Sequence, residues 1–125
     1  MKEETRRLLA SADRHLGFAE RTLNGDTAPV AARESYLAAF HAAQALIYER
    51  SGRIAKTHSG TRAKFNELTR ETALPAEIRR FLADAFELKT SADYDVSELP
   101  RLSEARDALD KAQRFVAAIR RLLGG

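Results

Sequence analysis

Two short polar segments carry the residue types that could do chemistry in this chain. The first is Thr57-His58-Ser59-Gly60, in which one imidazole lies between two hydroxyl groups. If a helix begins here, its free backbone amides could bind a phosphate, with His58 as a hydrogen-bond donor or proton carrier near neutral pH. The alternative is a structural N-cap, formed by Thr57 or Ser59.

The second segment is Lys89-Thr90-Ser91-Ala92-Asp93-Tyr94. Asp93 and Asp95 come where a helix should end, and carboxylates there oppose the helix dipole unless a cation answers them. Lys89 lies one turn before Asp93 on the same face, so one interpretation is that the two simply form a weak, exposed ion pair. Alternatively, Lys89, Asp93 and Tyr94 line a polar cleft, and the residues expected opposite them are Arg53, Lys56 and His58.

The other histidines are less promising for chemistry. His15 lies beside the apolar stripe of a predicted helix, and His41 lies within an apolar tract, so both are interpreted as structural. The chain has no cysteine, and its three histidines form no His-x3-His or Glu-x2-His pair. We therefore predict no metal site and no cofactor.

Charge is unevenly distributed although the net charge is only +3. Residues 49–70 hold six basic and two acidic residues, whereas residues 71–100 hold three basic and seven acidic. These segments could neutralise each other within the fold or across a dimer. The other interpretation is a nucleic-acid patch, built from Arg50, Arg53, Lys56, Arg62 and Lys64.

The elements that must position these residues are helices. Apolar residues recur at three- and four-residue steps over about residues 2–24, which predicts a first helix ending at Asn24-Gly25-Asp26. Asp26 or Thr27 is the expected N-cap of a second helix that runs to about Arg50. Gly52 ends this second helix.

Three further helices follow in the sequence. A short one begins near Thr57 and holds Phe65 and Leu68, a longer one is opened by Pro75, and a last one is opened by Pro100. The prediction is an all-α fold in one domain over residues 1–125. Its architecture is an antiparallel up-and-down four-helix bundle with one extra short helix.

The second helix has an unusual surface. Between Tyr36 and Tyr48 it is apolar on nearly every face and contains five alanines. Such a helix must be surrounded, and one bundle is expected to cover about half of it, so either two sets of neighbouring helices or a second subunit should cover the rest. We therefore predict a homodimer through this helix.

Composition also bears on where the protein works. The absence of cysteine favours a reducing compartment. The N-terminus has no apolar run that would make a signal peptide, and the most apolar stretch is shorter than the roughly 20 residues that a membrane span needs. We expect a cytoplasmic protein that is not inserted in a membrane.

Three segments together resemble the HEPN superfamily, and in particular its small single-domain prokaryotic branch. They are Ser35-Tyr36-Leu37-Ala38-Ala39-Phe40-His41-Ala42-Ala43-Gln44-Ala45-Leu46, then Lys56-Thr57-His58-Ser59-Gly60, then Glu87-Leu88-Lys89-Thr90-Ser91-Ala92-Asp93-Tyr94. The resemblance covers roughly residues 5–122. It implies a HEPN-like helical bundle that dimerises around a shared cleft, and frequent pairing with a minimal nucleotidyltransferase as toxin and antitoxin.

The resemblance also implies a chemistry. Active HEPN toxins are metal-independent ribonucleases that use an arginine followed four to six residues later by a histidine, and in some a nearby tyrosine is adenylylated by the partner. Here Lys89 stands where the arginine belongs, and Asp93-Tyr94 stand where the histidine would fall. A rescued site would use His58 as the base, Lys89 or Arg53 on the phosphate, and Tyr94 to orient it.

Three functional hypotheses follow from these residues. The first is a HEPN protein that is half of a nucleotidyltransferase-linked toxin–antitoxin or stress-response pair and binds RNA or nucleotide in its cleft. The second is a metal-independent ribonuclease with a substituted site. The third is a non-catalytic helical interaction module. The predicted catalytic residues are His58, Lys89, Asp93 and Tyr94, and the predicted phosphate-binding residues are Arg53, Lys56 and Ser59.

Overall fold

The structure is a computed structural model that describes residues 1–94 and 99–124, except for the side chain of Tyr94. The described residues form five helices and no strand: α1 (Glu3–Arg21), α2 (Ala28–Ser51), α3 (His58–Thr69), α4 (Ala76–Tyr94) and α5 (Leu102–Leu122). Four are 19 to 24 residues long, and α3 has 12. The predicted all-α fold, with four long helices and one short one, is confirmed.

Most helix ends follow from local chemistry. Gly52 ends α2 with φ of 73°, a left-handed conformation that glycine adopts without strain. Thr57 caps α3, because its Oγ1 accepts a hydrogen bond from the Gly60 amide at 2.9 Å. At the start of α5, the Arg101 amide donates to Oε1 of Glu104 at 3.0 Å.

The turn between α1 and α2 differs from the prediction. No positive φ occurs at Gly25, and the Asn24 side chain organises the turn instead by accepting from the amides of Asp26 and Thr27. Thr27 precedes α2 but makes no side-chain cap, and its hydroxyl instead donates to the Thr22 carbonyl at 2.6 Å. Asn24 therefore organises the turn that the sequence pattern attributed to Gly25 and to a capping residue.

The central helix is α2, which packs against each of the other four helices. Fourteen of its 24 residues are buried within this one chain. Of the two alternatives, neighbouring helices within the chain cover the apolar part of α2, because α3 and α4 pack on it in addition to α1 and α5. The homodimer stays a prediction.

Aromatic side chains fill the core around α2. Phe65 of α3 and Phe115 of α5 are fully buried with ring centroids 5.2 Å apart, and Phe81 of α4 lies 6.0 Å from Phe115. These contacts fix α3 and α4 to the bundle. The two polar segments singled out from the sequence are thereby held on neighbouring helices.

Within the ranges described, none of the five helices has the combination of length and apolar character that crossing a bilayer demands.

Candidate functional site

The first turn of α3 places His58 at the surface of the bundle. The Thr57 cap fixes this turn, and Gly60 lets it close tightly, because a Cβ added at Gly60 would lie only 2.6 Å from Thr57 Oγ1. His58 is the first residue of the helix and is partly buried. The Thr-His-Ser-Gly segment is thus a structural cap that also positions an imidazole.

His58 is enclosed by aromatic rings from α2 and α4. Its ring centroid lies 4.9 Å from Phe40, 5.1 Å from Phe86 and 5.5 Å from Tyr36. His58 Nδ1 lies 2.5 Å from the hydroxyl of Tyr36, whose side chain is fully buried. These four residues, with the two cations described next, are called the His58 cluster.

The remaining two members of the cluster are cations. The guanidinium of Arg62 lies 4.7 Å from the Phe86 ring centroid, and Nζ of Lys89 lies 5.9 Å from the same centroid. Burial, and then the charges of Lys89 and Arg62, lower the pKa of His58. The imidazole is therefore neutral at pH 7 in a positively charged surrounding.

The Tyr36 contact also indicates which nitrogen of His58 carries the proton. Burial raises the pKa of Tyr36 to about 12, so the phenol keeps its proton. Among residues 1–94 and 99–124, His58 is the only hydrogen-bond partner of this hydroxyl. If the Tyr36 hydroxyl donates to Nδ1, its buried O–H is satisfied. If Nδ1–H donated to the hydroxyl oxygen instead, the O–H would have no acceptor. Neutral His58 therefore presents an Nε2–H donor, which suits an anion.

Lys89 forms the ion pair with Asp93 that their spacing predicts. Lys89 Nζ lies 2.7 Å from Oδ2 of Asp93, and their side chains are 16% and 22% exposed. The ammonium of Lys89 therefore contacts both the Asp93 carboxylate and the Phe86 ring. Tyr94 ends α4, but its side chain and all of Asp95 lie outside the described residues.

The predicted phosphate-binding residues lie apart from this arrangement. Arg53 and Lys56 are exposed in the segment between α2 and α3, and Ser59 is exposed in the first turn of α3. In the described part of the chain, none of the three side chains bonds to the His58 cluster. The structure brings His58, Lys89 and Asp93 together and leaves these three outside.

The basic side chains of residues 49–70 have different partners, and the nucleic-acid patch stays a prediction. Arg50 donates to the Leu122 carbonyl at 3.0 Å, Lys64 lies 3.3 Å from Oε1 of Glu67, and Arg62 joins the His58 cluster. Nor does any basic side chain of residues 49–70 pair with an acidic side chain of residues 71–94. Charge neutralisation between the two segments is therefore not seen within the described chain.

Sequence reasoning missed Tyr36, Phe40 and Phe86 as members of the site. One signal was present, since a tyrosine in the middle of an apolar helix needs a partner for its hydroxyl. Nothing in the sequence, however, showed that this partner is His58, 22 residues away.

The other two histidines, His15 on α1 and His41 on α2, lie side by side. His15 Nδ1 is 2.5 Å from Oε2 of Glu34, His41 Nδ1 is 2.5 Å from Oγ of Ser11, and the two rings are 4.9 Å apart. Burial, and then the charges of His15 and Arg14, lower the pKa of His41 to about 4. In the described ranges, no group of three or more His, Asp or Glu residues could hold a metal ion.

Comparisons with known proteins agree with this picture. A family model described as the HEPN domain matches residues 5–122. A protein of Methanocaldococcus jannaschii, named as a candidate toxin, is 25% identical to this chain over 123 residues. That alignment covers 98% of this chain and 83% of the relative. With a helical bundle throughout and the domain match over nearly its full length, this chain belongs to the HEPN domain family.

Proposed function

We propose that this chain is a toxin-type HEPN protein of the cytoplasm that binds single-stranded RNA through the His58 cluster. The observation that carries the proposal is the convergence of Lys89, Arg62 and an Nε2–H donor of His58 around the Phe86 ring. Two cations and a neutral donor at one point suit a phosphate group with a base beside it. The name of the archaeal relative agrees with a toxin role.

Binding is the role that the cluster supports better than cleavage. Metal-independent cleavage of RNA needs a base for the 2′-hydroxyl proton. In neutral His58 the acceptor nitrogen, Nδ1, is occupied by the Tyr36 hydroxyl, so the other ring nitrogen, Nε2, can donate but not accept. Asp93 is the other candidate base, and it is already paired with Lys89 at 2.7 Å.

The test is fluorescence anisotropy with a labelled ten-nucleotide unstructured RNA. We expect His58→Ala and Lys89→Met each to weaken binding about tenfold, the loss typical of a hydrogen bond to a charged group. The matched control is Lys111→Met, because Lys111 forms the same i,i+4 pair with Asp107 at 3.0 Å, but on α5. If the control weakens binding as much as Lys89→Met does, the His58 cluster is not the binding site.

Cleavage is measured on the same RNA in EDTA. The ribonuclease alternative predicts cleavage by the wild type that is lost in His58→Ala and Lys89→Ala. Our proposal predicts an intact RNA that is nevertheless bound. A wild type that neither binds nor cleaves RNA would favour a non-catalytic interaction module.

We further propose that the chain works as a homodimer paired with a minimal nucleotidyltransferase antitoxin. HEPN membership supports this pairing, and Tyr94 is the residue that would accept the nucleotide. Light scattering tests the dimer. Intact-mass measurement after co-expression with a minimal nucleotidyltransferase tests the modification, and the added mass must disappear in Tyr94→Phe.

A further inference from the structure

A basic groove runs between α3 and α4. Its volume is about 490 Å³. Four arginines and an asparagine supply its polar lining, whereas its apolar lining is small or buried. We call it the arginine groove, and its lining residues are Arg62, Asn66, Arg70, Ala76, Arg79, Arg80, Leu82 and Ala83.

The four arginines of the groove have no ion-pair partner in the described ranges. On other surfaces some arginines are paired, as Arg114 is with Asp110 and Arg120 with Asp13, both at 2.5 Å. In the groove, Nε of Arg79 is buried and forms no hydrogen bond within the described part of the chain. Unpaired guanidinium groups that line one groove repel one another. A bound anion would reduce this repulsion and would also accept the hydrogen bonds that the guanidinium groups lack.

The spacing of the cations matches an extended anion. Arg62 and Arg70 are eight residues apart in helical conformation, so they lie about 12 Å apart along the axis of α3. Arg79 and Arg80 lie across from them on α4. A row of this length can contact several phosphates of one chain, and each guanidinium can bind a phosphate with two parallel hydrogen bonds.

The groove is continuous with the His58 cluster through one side chain. Arg62 lines the groove and also lies over the Phe86 ring of the cluster. The groove offers few apolar anchors, since its only large apolar side chain, Leu82, is 1% exposed. A protein partner would need such an anchor, whereas a nucleic-acid backbone does not.

We propose that the arginine groove binds the phosphates of a single-stranded RNA that flank the one held at the His58 cluster. This inference rests on the proposed function and deepens it, because it makes affinity depend on RNA length. A dinucleotide reaches the cluster alone. A longer strand continues past Arg62 into the groove and adds contacts to Arg70, Arg79 and Arg80.

The test compares a ten-nucleotide RNA with the dinucleotide UpU, using the double variant Arg70→Gln/Arg80→Gln. Both side chains are exposed, so the variant should fold, which circular dichroism and thermal unfolding check. We expect the variant to bind the ten-nucleotide RNA about tenfold more weakly and UpU as the wild type does. The slope of log affinity against log salt should fall by about 0.7 for each lost phosphate contact. The matched control, Arg114→Gln, removes a paired arginine on α5 and should change neither affinity.

Distinct outcomes separate the two proposals. An unchanged affinity and salt slope for the ten-nucleotide RNA in the double variant would overturn the role of the groove while leaving the His58 cluster intact. Loss of RNA binding in the double variant, with full binding in His58→Ala, would support the groove and contradict the proposed site. A poly-glutamate peptide that competes as well as RNA, and depends equally on both arginines, would make the groove an acidic-protein surface and overturn the RNA assignment.

Discussion

His58 and the His15–His41 pair are partly buried imidazoles with very short hydrogen bonds, yet their neighbours differ in charge. His58 bonds to a neutral phenol and is flanked by the cations Lys89 and Arg62. His15 bonds to the carboxylate of Glu34, and His41 bonds to the hydroxyl of Ser11. In the first arrangement two cations face one carboxylate, that of Asp93, so positive charge is left for an external anion, whereas in the second a carboxylate bonds directly to an imidazole. The difference teaches that the partners of a histidine, more than its burial, mark a binding site.

The largest effect should come from the buried phenol. Tyr36→Phe leaves His58 Nδ1 without its donor in a ring of aromatic side chains, so we expect it to lower the free energy of unfolding by about 1–3 kcal/mol. The corresponding change in the other pair, Ser11→Ala, should cost less, because Ser11 is 9% exposed whereas Tyr36 is fully buried, so water can replace part of the lost hydrogen bond. Urea denaturation measures both. Equal losses would remove the distinction between the two histidine environments.

The next effect is the dependence of stability on pH. The pKa of His41 is about 4 in the folded protein and near 6.5 when unfolded, so between these values only the unfolded state binds the proton. Stability is therefore fully present above pH 6.5 and falls as the pH drops towards 4. Because the ring is partly exposed and solvent screens it, we expect a loss of roughly 1–2 kcal/mol.

Two variants assign this pH dependence. Thermal unfolding between pH 4 and pH 7 should show a shallower slope in His41→Gln than in the wild type. The lowered pKa of His58 acts in the same direction, so His58→Gln should remove a further part. A wild-type stability that rises as the pH falls through this window would contradict both assignments.

The smallest effect should come from the carboxylate beside Lys89. Asp93→Asn removes the negative charge 2.7 Å from the ammonium, so the cluster becomes more positive and RNA affinity should rise about two- to fivefold. Asp107→Asn breaks the matched pair with Lys111 on α5 and should leave affinity unchanged. Anisotropy titrations with the labelled RNA measure both. A loss of affinity in Asp93→Asn would mean that Asp93 positions Lys89 more than it neutralises it.

The sequence predicted the fold well because its signals are local. Periodic apolar residues, the Gly52 stop and the Thr57 cap each act within a few residues and were found where they were predicted. The Lys89–Asp93 pair was predictable for the same reason, since both lie on one helix face. The misassigned turn at Gly25 shows the limit, because an asparagine side chain can replace a glycine conformation.

The site was predicted only in part because it depends on contacts between helices. His58 meets Tyr36, 22 residues away, only after α2 and α3 have packed together. Arg62 was one of several basic residues in its segment, and its position over Phe86 depends on the packing of α3 against α4. Arg53, Lys56 and Ser59 are near His58 in sequence but do not bond to its cluster in the described residues, and their role in phosphate binding stays a prediction.

The most direct test is nuclear magnetic resonance of the three imidazole side chains with and without the ten-nucleotide RNA. The account predicts that free His58 shows the neutral form protonated at Nε2. It also predicts that RNA shifts the His58 resonances strongly and leaves those of His15 and His41 unchanged. RNA-induced shifts at His15 and His41, with His58 unaffected, would show that the cation-flanked imidazole is not the binding site.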